Sequence, residues 1–168
     1  MGDSDKHKII ILAAPSGAGK TTIKSRLLAA MPSKLSFSIS AATRKIRAGE
    51  QHGVDYFFID VEEFKNKIDN NQFVEWEMVY EGSYYGTLKA ELERIWNLGK
   101  TPILDIDVKG AIHLQDQFPN RCLSIFIEPP SVDELRKRLF GRGTETDESL
   151  QARINKAGYE ISFKHHFD

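Results

Sequence analysis

The sequence predicts an α/β fold whose core is three-layered, a parallel sheet between helices. Three observations carry this. Ile9-Ile10-Ile11-Leu12-Ala13, Pro102-Ile103-Leu104-Asp105-Ile106-Asp107 and 121–127 are short, largely apolar runs, as strands buried in a parallel sheet are. Amphipathic helical patterns with recognisable caps occur elsewhere in the chain. The first apolar run also opens directly into a small-residue turn, Ala14-Pro15-Ser16-Gly17-Ala18-Gly19-Lys20-Thr21-Thr22, followed by helix-compatible sequence.

That turn ends in Gly-Lys-Thr, as phosphate-binding loops do. Backbone N–H groups of residues 16–20 must converge on phosphate oxygens, which Gly17 and Gly19 permit because they lack a Cβ. The helix N-terminus adds partial positive charge at the same point. Lys20 supplies a cation for β- and γ-phosphates, and the Thr21 hydroxyl is a Mg²⁺ ligand candidate. Ala14 stands where the usual pattern has its first glycine, so ordinary backbone handedness is expected there.

The first helix is expected to run to about Met31, with Ile23, Leu27, Leu28 and Met31 on its apolar face and Pro32 as its stop. Residues 35–40 alternate as a strand, and 43–50 read as an exposed loop with basic residues three apart. Tyr56-Phe57-Phe58-Ile59 reads as a strand. Asp60 and Glu63 form a capping box for a helix bearing Phe64 and Ile68. Residues 73–80 are strand-like, and Tyr84-Tyr85-Gly86 leads into a helix with Leu88, Leu92, Ile95 and Trp96 that ends at Gly99. Ser131 and Glu134 cap a further helix. The basic, glycine-punctuated run 136–144 reads as a mobile loop before a last helix from about Asp147. Residues 41–86 look like a strand-rich insertion between two halves of the core.

The 168 residues suit one domain with a substantial core. A net charge of −1 gives no general basic excess for nucleic acid, and no apolar run reaches membrane-spanning length. A cytoplasmic location is expected. The lone Cys122 sits in an apolar run and reads as a buried, inert thiol. Met1-Gly2 begins like a myristoylation signal, but Lys6 stands where Ser or Thr belongs, so a solvated tail is expected. Oligomeric state stays open between monomer and homodimer.

Three constellations lie beyond the phosphate loop. Asp105 and Asp107 sit at the end of a predicted parallel strand, where open α/β sheets place ligands. Alternation puts both on one face unless the strand bends, and one could hold water on Mg²⁺ beside Thr21. Arg138, Arg142 and Arg153 offer guanidinium groups for the charge of a transferring phosphoryl group. Arg136 and Lys137 read as a solvated face. Arg44, Arg47, Tyr56 and Tyr85 suit a monophosphate, and Glu75, with Ser40 and Thr87, offers acceptors for guanine N1–H and its exocyclic amine. Spacing alone does not bring these distant residues together.

Over nearly its whole length the chain resembles the guanylate kinases. The resemblance rests on 14–21, Thr43-Arg44-x-x-Arg47-x-Gly49-Glu50, Gly53-x-Asp55-Tyr56-x-Phe58, Phe73-x-Glu75-Trp76, Tyr84-Tyr85-Gly86, Leu104-Asp105-Ile106-Asp107, Pro129-Pro130-Ser131 and Arg138-Leu139-x-Gly141-Arg142-Gly143. It implies a P-loop kinase core over about 8–40 and 100–168, a GMP-binding insertion over about 41–99, and a lid over about 138–150. It implies transfer of the γ-phosphoryl of ATP to GMP or dGMP with Mg²⁺. Ala14, Pro15, Ser16, Gly17, Ala18, Gly19, Lys20, Thr21 and Thr22 would hold ATP, with Thr21 and, through water, Asp105 near the metal. Ser40, Glu75, Thr87 and Asp107 would read guanine, and Arg44, Arg47, Tyr56 and Tyr85 would hold the GMP phosphate. Lys20, Arg138, Arg142 and Arg153 would act on the transferring group, and closure would bring insertion and lid towards the phosphate loop.

Two other readings compete. One is a scaffold-type guanylate-kinase-like module that binds phosphopeptides, which intact Gly19-Lys20-Thr21, Asp105 and Arg142 disfavour. The other is a kinase for a different monophosphate, which Glu75 with Asp107 disfavours. The family pattern continues past this chain's Asp168 with another strand, carrying an Asn-Asp pair near the adenosine, and a helix. The expectation is therefore an incomplete kinase with 121–127 as an open edge, prone to self-association and binding GMP better than ATP.

Overall fold

The computed structural model describes residues 7–141 and 147–168, without the side chains of Tyr80, Asp147 and Ser149. The expected tail 1–6, Arg142 and residues 142–146 of the expected lid lie outside the described residues. In chain order the elements are β1 (Ile9–Ala13), α1 (Lys20–Ala30), β2 (Leu35–Phe37), β3 (Ala41–Ala42), β4 (Phe57–Phe58), α2 (Val61–Asp69), β5 (Phe73–Tyr80) and β6 (Ser83–Leu88). There follow α3 (Lys89–Asn97), β7 (Thr101–Asp105), α4 (Val108–Gln117), β8 (Cys122–Phe126), α5 (Val132–Phe140) and α6 (Asp147–Ser162).

The core sheet is parallel, in the order β2-β7-β1-β8. Alternation along β1 supplies both of its faces. Ile9, Ile11 and Ala13 pack with Leu104, Leu92, Ala111 and Leu114, under α3 and α4. Leu12 faces the other way with Leu35 and Ile103, and half-buried Leu27, Leu28 and Met31 of α1 cover them. This makes the three layers of an α/β fold. Ile23 departs from the expected apolar face of α1 and is exposed.

A second sheet has the order β4-β3-β6-β5, with β5 and β6 an antiparallel hairpin and α2 packed against it through Phe64. Two of its strands were not expected. β3 is only two residues long, and β6 occupies 83–88 where the sequence suggested an approach to a helix. Leu88 is the last strand residue and the extended N-cap of α3, so it belongs to the second sheet's core rather than to a helical face. The irregular register between Phe73 and Glu75 buries Phe73, Val74 and Glu75 in succession.

Helix α4, absent from the sequence reading, connects β7 to β8 across β1. Asp107 caps it by accepting from the Gly110 N–H at 2.8 Å, and Val108, Ala111 and Leu114 are its buried face. Helix α5 persists to Phe140, so the basic residues Arg136, Lys137 and Arg138 are helical rather than part of a loop. Leu135 and Leu139, four residues apart and fully buried, explain this by packing on Leu150, Ile154 and Ala157 of α6. Strand β8 lies at one edge of the core sheet. There the Asp168 N–H donates to Ser124 O at 3.0 Å, and its carboxylate accepts from the Ser124 N–H and hydroxyl at 2.9 Å each. Cys122 is half-buried rather than buried, and desolvation pushes its thiol up to about 11, so it stays protonated. Among the described residues no helix is long and apolar enough to cross a membrane.

Candidate active site

The turn after β1 folds as its glycines allow. Gly17 and Gly19 have φ of 90° and 101°, Ala14 has no positive φ, and the Ala18 N–H closes the loop onto Pro15 O at 3.1 Å. Gly19 is the N-cap of α1, so the first free amides of that helix face the loop's mouth. Ala14, Pro15, Ser16, Gly17, Gly19, Lys20, Thr21 and Thr22 line a cavity of about 530 Å³, with Arg47, Tyr56, Asp105, Asp107 and Arg138 around it.

Lys20 is held at the ends of β7 and α4. Its ammonium lies 2.7 Å from Asp105 Oδ1 and donates to Ile106 O at 3.3 Å. Lys24, one turn further along α1, approaches Asp105 Oδ2 at 3.4 Å while sitting over the Phe37 ring. Burial alone would favour a neutral Asp105, but the two ammoniums outweigh it and hold the carboxyl below its usual range. Asp105 thus carries two cations, Lys20 and Lys24, at the edge of the phosphate loop. Nothing in the sequence reading singled out Lys24, although its spacing of four from Lys20 places both on one helix face.

A second cavity, of about 190 Å³, lies between the two sheets and is lined by Ser40, Glu75, Glu77, Val79, Tyr85 and Gly86. Lys20, Tyr56, Asp105 and Asp107 line both cavities, so the two adjoin. Asp105 ends β7 and Asp107 caps α4, and despite the bend between them both residues line the two cavities. Pairing of Glu75 with Thr87 across the hairpin puts their side chains together, and the buried Thr87 hydroxyl donates to Glu75 Oε1 at 2.5 Å. Thr87 does not line the cavity itself. Burial pushes the Glu75 carboxyl up to about 7, with the Thr87 bond opposing and the Asp107 charge adding to the rise.

Of the expected phosphate-holding side chains, Tyr56 and Tyr85 line this second cavity and Arg47 lines the phosphate-loop cavity, while Arg44 lines neither and packs against Tyr56. The Arg44 guanidinium lies 5.0 Å from the Tyr56 ring centre, and Tyr56 meets Tyr85 edge-on at 5.9 Å. Burial, then the Asp105 charge, pushes the Tyr56 hydroxyl up to about 12, so it is a donor throughout the neutral range. Arg44 is engaged by Glu50 in a two-bond fork of 2.6 and 2.7 Å, and Glu50 also accepts from the Arg47 N–H at 2.9 Å. The Arg44 bond draws Glu50 down to about 2. Glu50 appears in the sequence motif without an assigned role; its partner became visible only once the 43–50 loop was folded.

On the opposite wall Arg153 of α6 donates to Ser16 Oγ at 3.0 Å. Exposed Arg138 donates to Glu134 at 3.0 Å within α5 while reaching the phosphate-loop cavity. Lys156 and Glu160 of α6 also line that cavity and were not anticipated, though they follow Arg153 at helical spacings. Among the described residues no group of three or more His, Cys, Asp or Glu is placed to hold a metal ion. Thr21 and ionised Asp105 on one cavity suit instead a Mg²⁺ carried in by phosphates, which keeps most of its waters.

Comparisons with known proteins agree with this geometry. A family model described as guanylate kinase matches residues 6–168. The guanylate kinase of Bacteroides fragilis is 50% identical over 161 residues, covering 96% of this chain and 78% of that one. That of Chlorobium chlorochromatii is 49% identical over 168 residues, covering 100% and 87% respectively. The crystal structure of guanylate kinase from Anaplasma phagocytophilum superposes with a TM-score of 0.74 at 32% identity, covering 96% of this chain and 73% of that one. With motifs, fold and relatives in accord over nearly its whole length, the chain belongs to the guanylate kinase family.

Proposed function

We propose that this chain transfers the γ-phosphoryl group of ATP to GMP, giving ADP and GDP, and that the two adjoining cavities act as one cleft in which the two nucleotides meet. The observation that carries this is the sharing of Lys20, Tyr56, Asp105 and Asp107 by the phosphate-loop cavity and the Glu75 cavity. ATP phosphates occupy the loop 14–22, and guanine occupies the inner cavity. There Glu75 accepts from N1–H and the exocyclic amine, with Asp107 and Ser40 beside it. Adenine presents an acceptor at N1 and leaves Glu75 mismatched. Thr87 acts through Glu75 by fixing one carboxylate oxygen. Arg44, Arg47, Tyr56 and Tyr85 hold the GMP phosphate at the junction, with Glu50 keeping the Arg44 fork aligned.

A phosphate oxygen of GMP attacks the γ-phosphorus in line as the bond from that phosphorus to the β–γ bridging oxygen breaks. GMP oxygen is already anionic, so no general base is required. Catalysis then rests on positioning and charge stabilisation. Lys20 leaves Asp105 for the β- and γ-phosphates, while Arg153, Arg138 and Arg142 supply further positive charge. Mg²⁺ bound with ATP would sit by Thr21 and, through water, Asp105, and would neutralise phosphate charge there. The cytoplasm, where nucleoside monophosphates are phosphorylated, is the compartment that goes with this reading.

The test is ADP release measured with GMP, AMP, CMP and UMP as acceptors. Turnover with GMP and little with the other three is the expected result. Comparable turnover with AMP would assign the inner cavity to another base, and ADP release with none of the four would favour a binding module.

A further inference from the structure

We infer that Gly110 is a specificity-determining position, because its missing side chain is what admits the Glu75 carboxylate to the base cavity. The inference rests on the reading of Glu75 given above. Gly110 lies in the first turn of α4 and has no positive φ, so its backbone conformation does not call for glycine. Alanine is the better helix former, so the need is for space. A methyl group on Gly110 would lie 2.7 Å from Glu75 Oε2, 3.3 Å from its Cδ and 3.4 Å from Asp107 Oδ1. A separation of 2.7 Å is well inside van der Waals contact, so Glu75 would have to give way.

Glu75 has little freedom to do so. It is 6% exposed, its other oxygen is tied to the Thr87 hydroxyl, and it lies on a strand paired across the hairpin. Its relief is rotation of the carboxylate out of the plane in which it meets guanine. Gly110 also serves the neighbouring acid, since its N–H holds Asp107 Oδ1 at 2.8 Å. One residue thus orients Asp107 with its amide and makes room for Glu75 with its bare Cα. The atoms nearest that methyl group include none of the phosphate loop, and Asp107, which also lines the phosphate-loop cavity, would meet it only at an ordinary 3.4 Å contact.

The experiment compares Gly110→Ala, Glu75→Asp, Glu75→Gln and the combination Gly110→Ala/Glu75→Asp in the full chain, with KM for GMP and for ATP measured separately. Gly110→Ala should raise KM for GMP at least ~10-fold and leave KM for ATP unchanged, since small misplacements of a binding group carry losses of this order. Glu75→Asp should weaken GMP in the parent chain but improve it in the Gly110→Ala background, where the shorter acid clears the methyl group. Parental KM for GMP in Gly110→Ala overturns the inference, as do equal losses for GMP and ATP. Should Gly110→Ala not fold, the combination carries the test: folding with the GMP affinity of Glu75→Asp supports the inference, and failure to fold overturns it. Glu75→Gln separates the two levels. Parental GMP kinetics there refute the base reading itself, whereas a loss in Glu75→Gln without one in Gly110→Ala refutes only the role of Gly110.

Discussion

At the scale of single residues, the proposed reading places base choice on Glu75. Its carboxyl is raised from an ordinary 4.5 to about 7 by burial, opposed by Thr87 and reinforced by Asp107. Two consequences of opposite sign follow. Because the folded value is the higher one, this group favours the folded chain fully below 4.5, and that contribution fades as pH rises through about 7. On the proposed role of Glu75, GMP binding needs the ionised acid, with both oxygens accepting, and so should strengthen over the same rise. Calorimetric titration of GMP from about pH 6 to about pH 8 should show affinity increasing with an inflection near 7 in the parent chain. Glu75→Gln should bind more weakly and lack that component of the profile. An identical pH profile in the two proteins would remove Glu75 from base recognition.

At the scale of elements, the phosphate loop and α5 are a single packed unit. A methyl group on Gly17 would stand 3.2 Å from both Leu135 Cδ1 and Leu139 Cδ2, and the residue is held at a φ of 90°. Gly17→Ala therefore combines a strained backbone, at about 1–2 kcal/mol, with crowding of the Leu135 and Leu139 side chains of α5. Its expected signature is a lower melting temperature and weakened binding of an ATP analogue, with GMP affinity kept; unchanged ATP-analogue binding would show that α5 does not shape the loop. Much of this level could be read from sequence. The apolar run of β1, the glycines after it and the caps Asp60 and Ser131 are local signals, and local signals survive without tertiary knowledge. Helix α4 was missed because Gly110 interrupts its propensity, and that glycine answers to Glu75, thirty-five positions away in the sequence. The two-residue β3 and the strand β6 owe their existence to partners across the second sheet. Helix α5 was mistaken for loop in its last turns because its basic face drew attention from Leu135 and Leu139. At the site, local pattern marked the phosphate loop, Asp105 and Asp107, whereas the grouping of Asp107 with Ser40 and Glu75 came through family resemblance. Lys24 and Glu50 went unassigned because ion pairs leave no periodic trace.

At the scale of the whole molecule, two sheets bring two cavities side by side. The parallel sheet contributes the phosphate loop, Asp105 at the end of β7 and Asp107 just beyond it, as α/β architecture places ligands. The second sheet contributes Glu75, Tyr85 and the loop bearing Arg44 and Arg47. Neither cavity alone explains why Lys20 and Tyr56 line both. The most direct measurement uses a bisubstrate ligand in which adenosine and guanosine are joined through a chain of phosphates. If the cleft holds both nucleotides end to end, this ligand inhibits competitively against ATP and against GMP, and binds more tightly than either nucleotide alone. Competition against only one of the two substrates would contradict a shared cleft and separate the two cavities into independent sites.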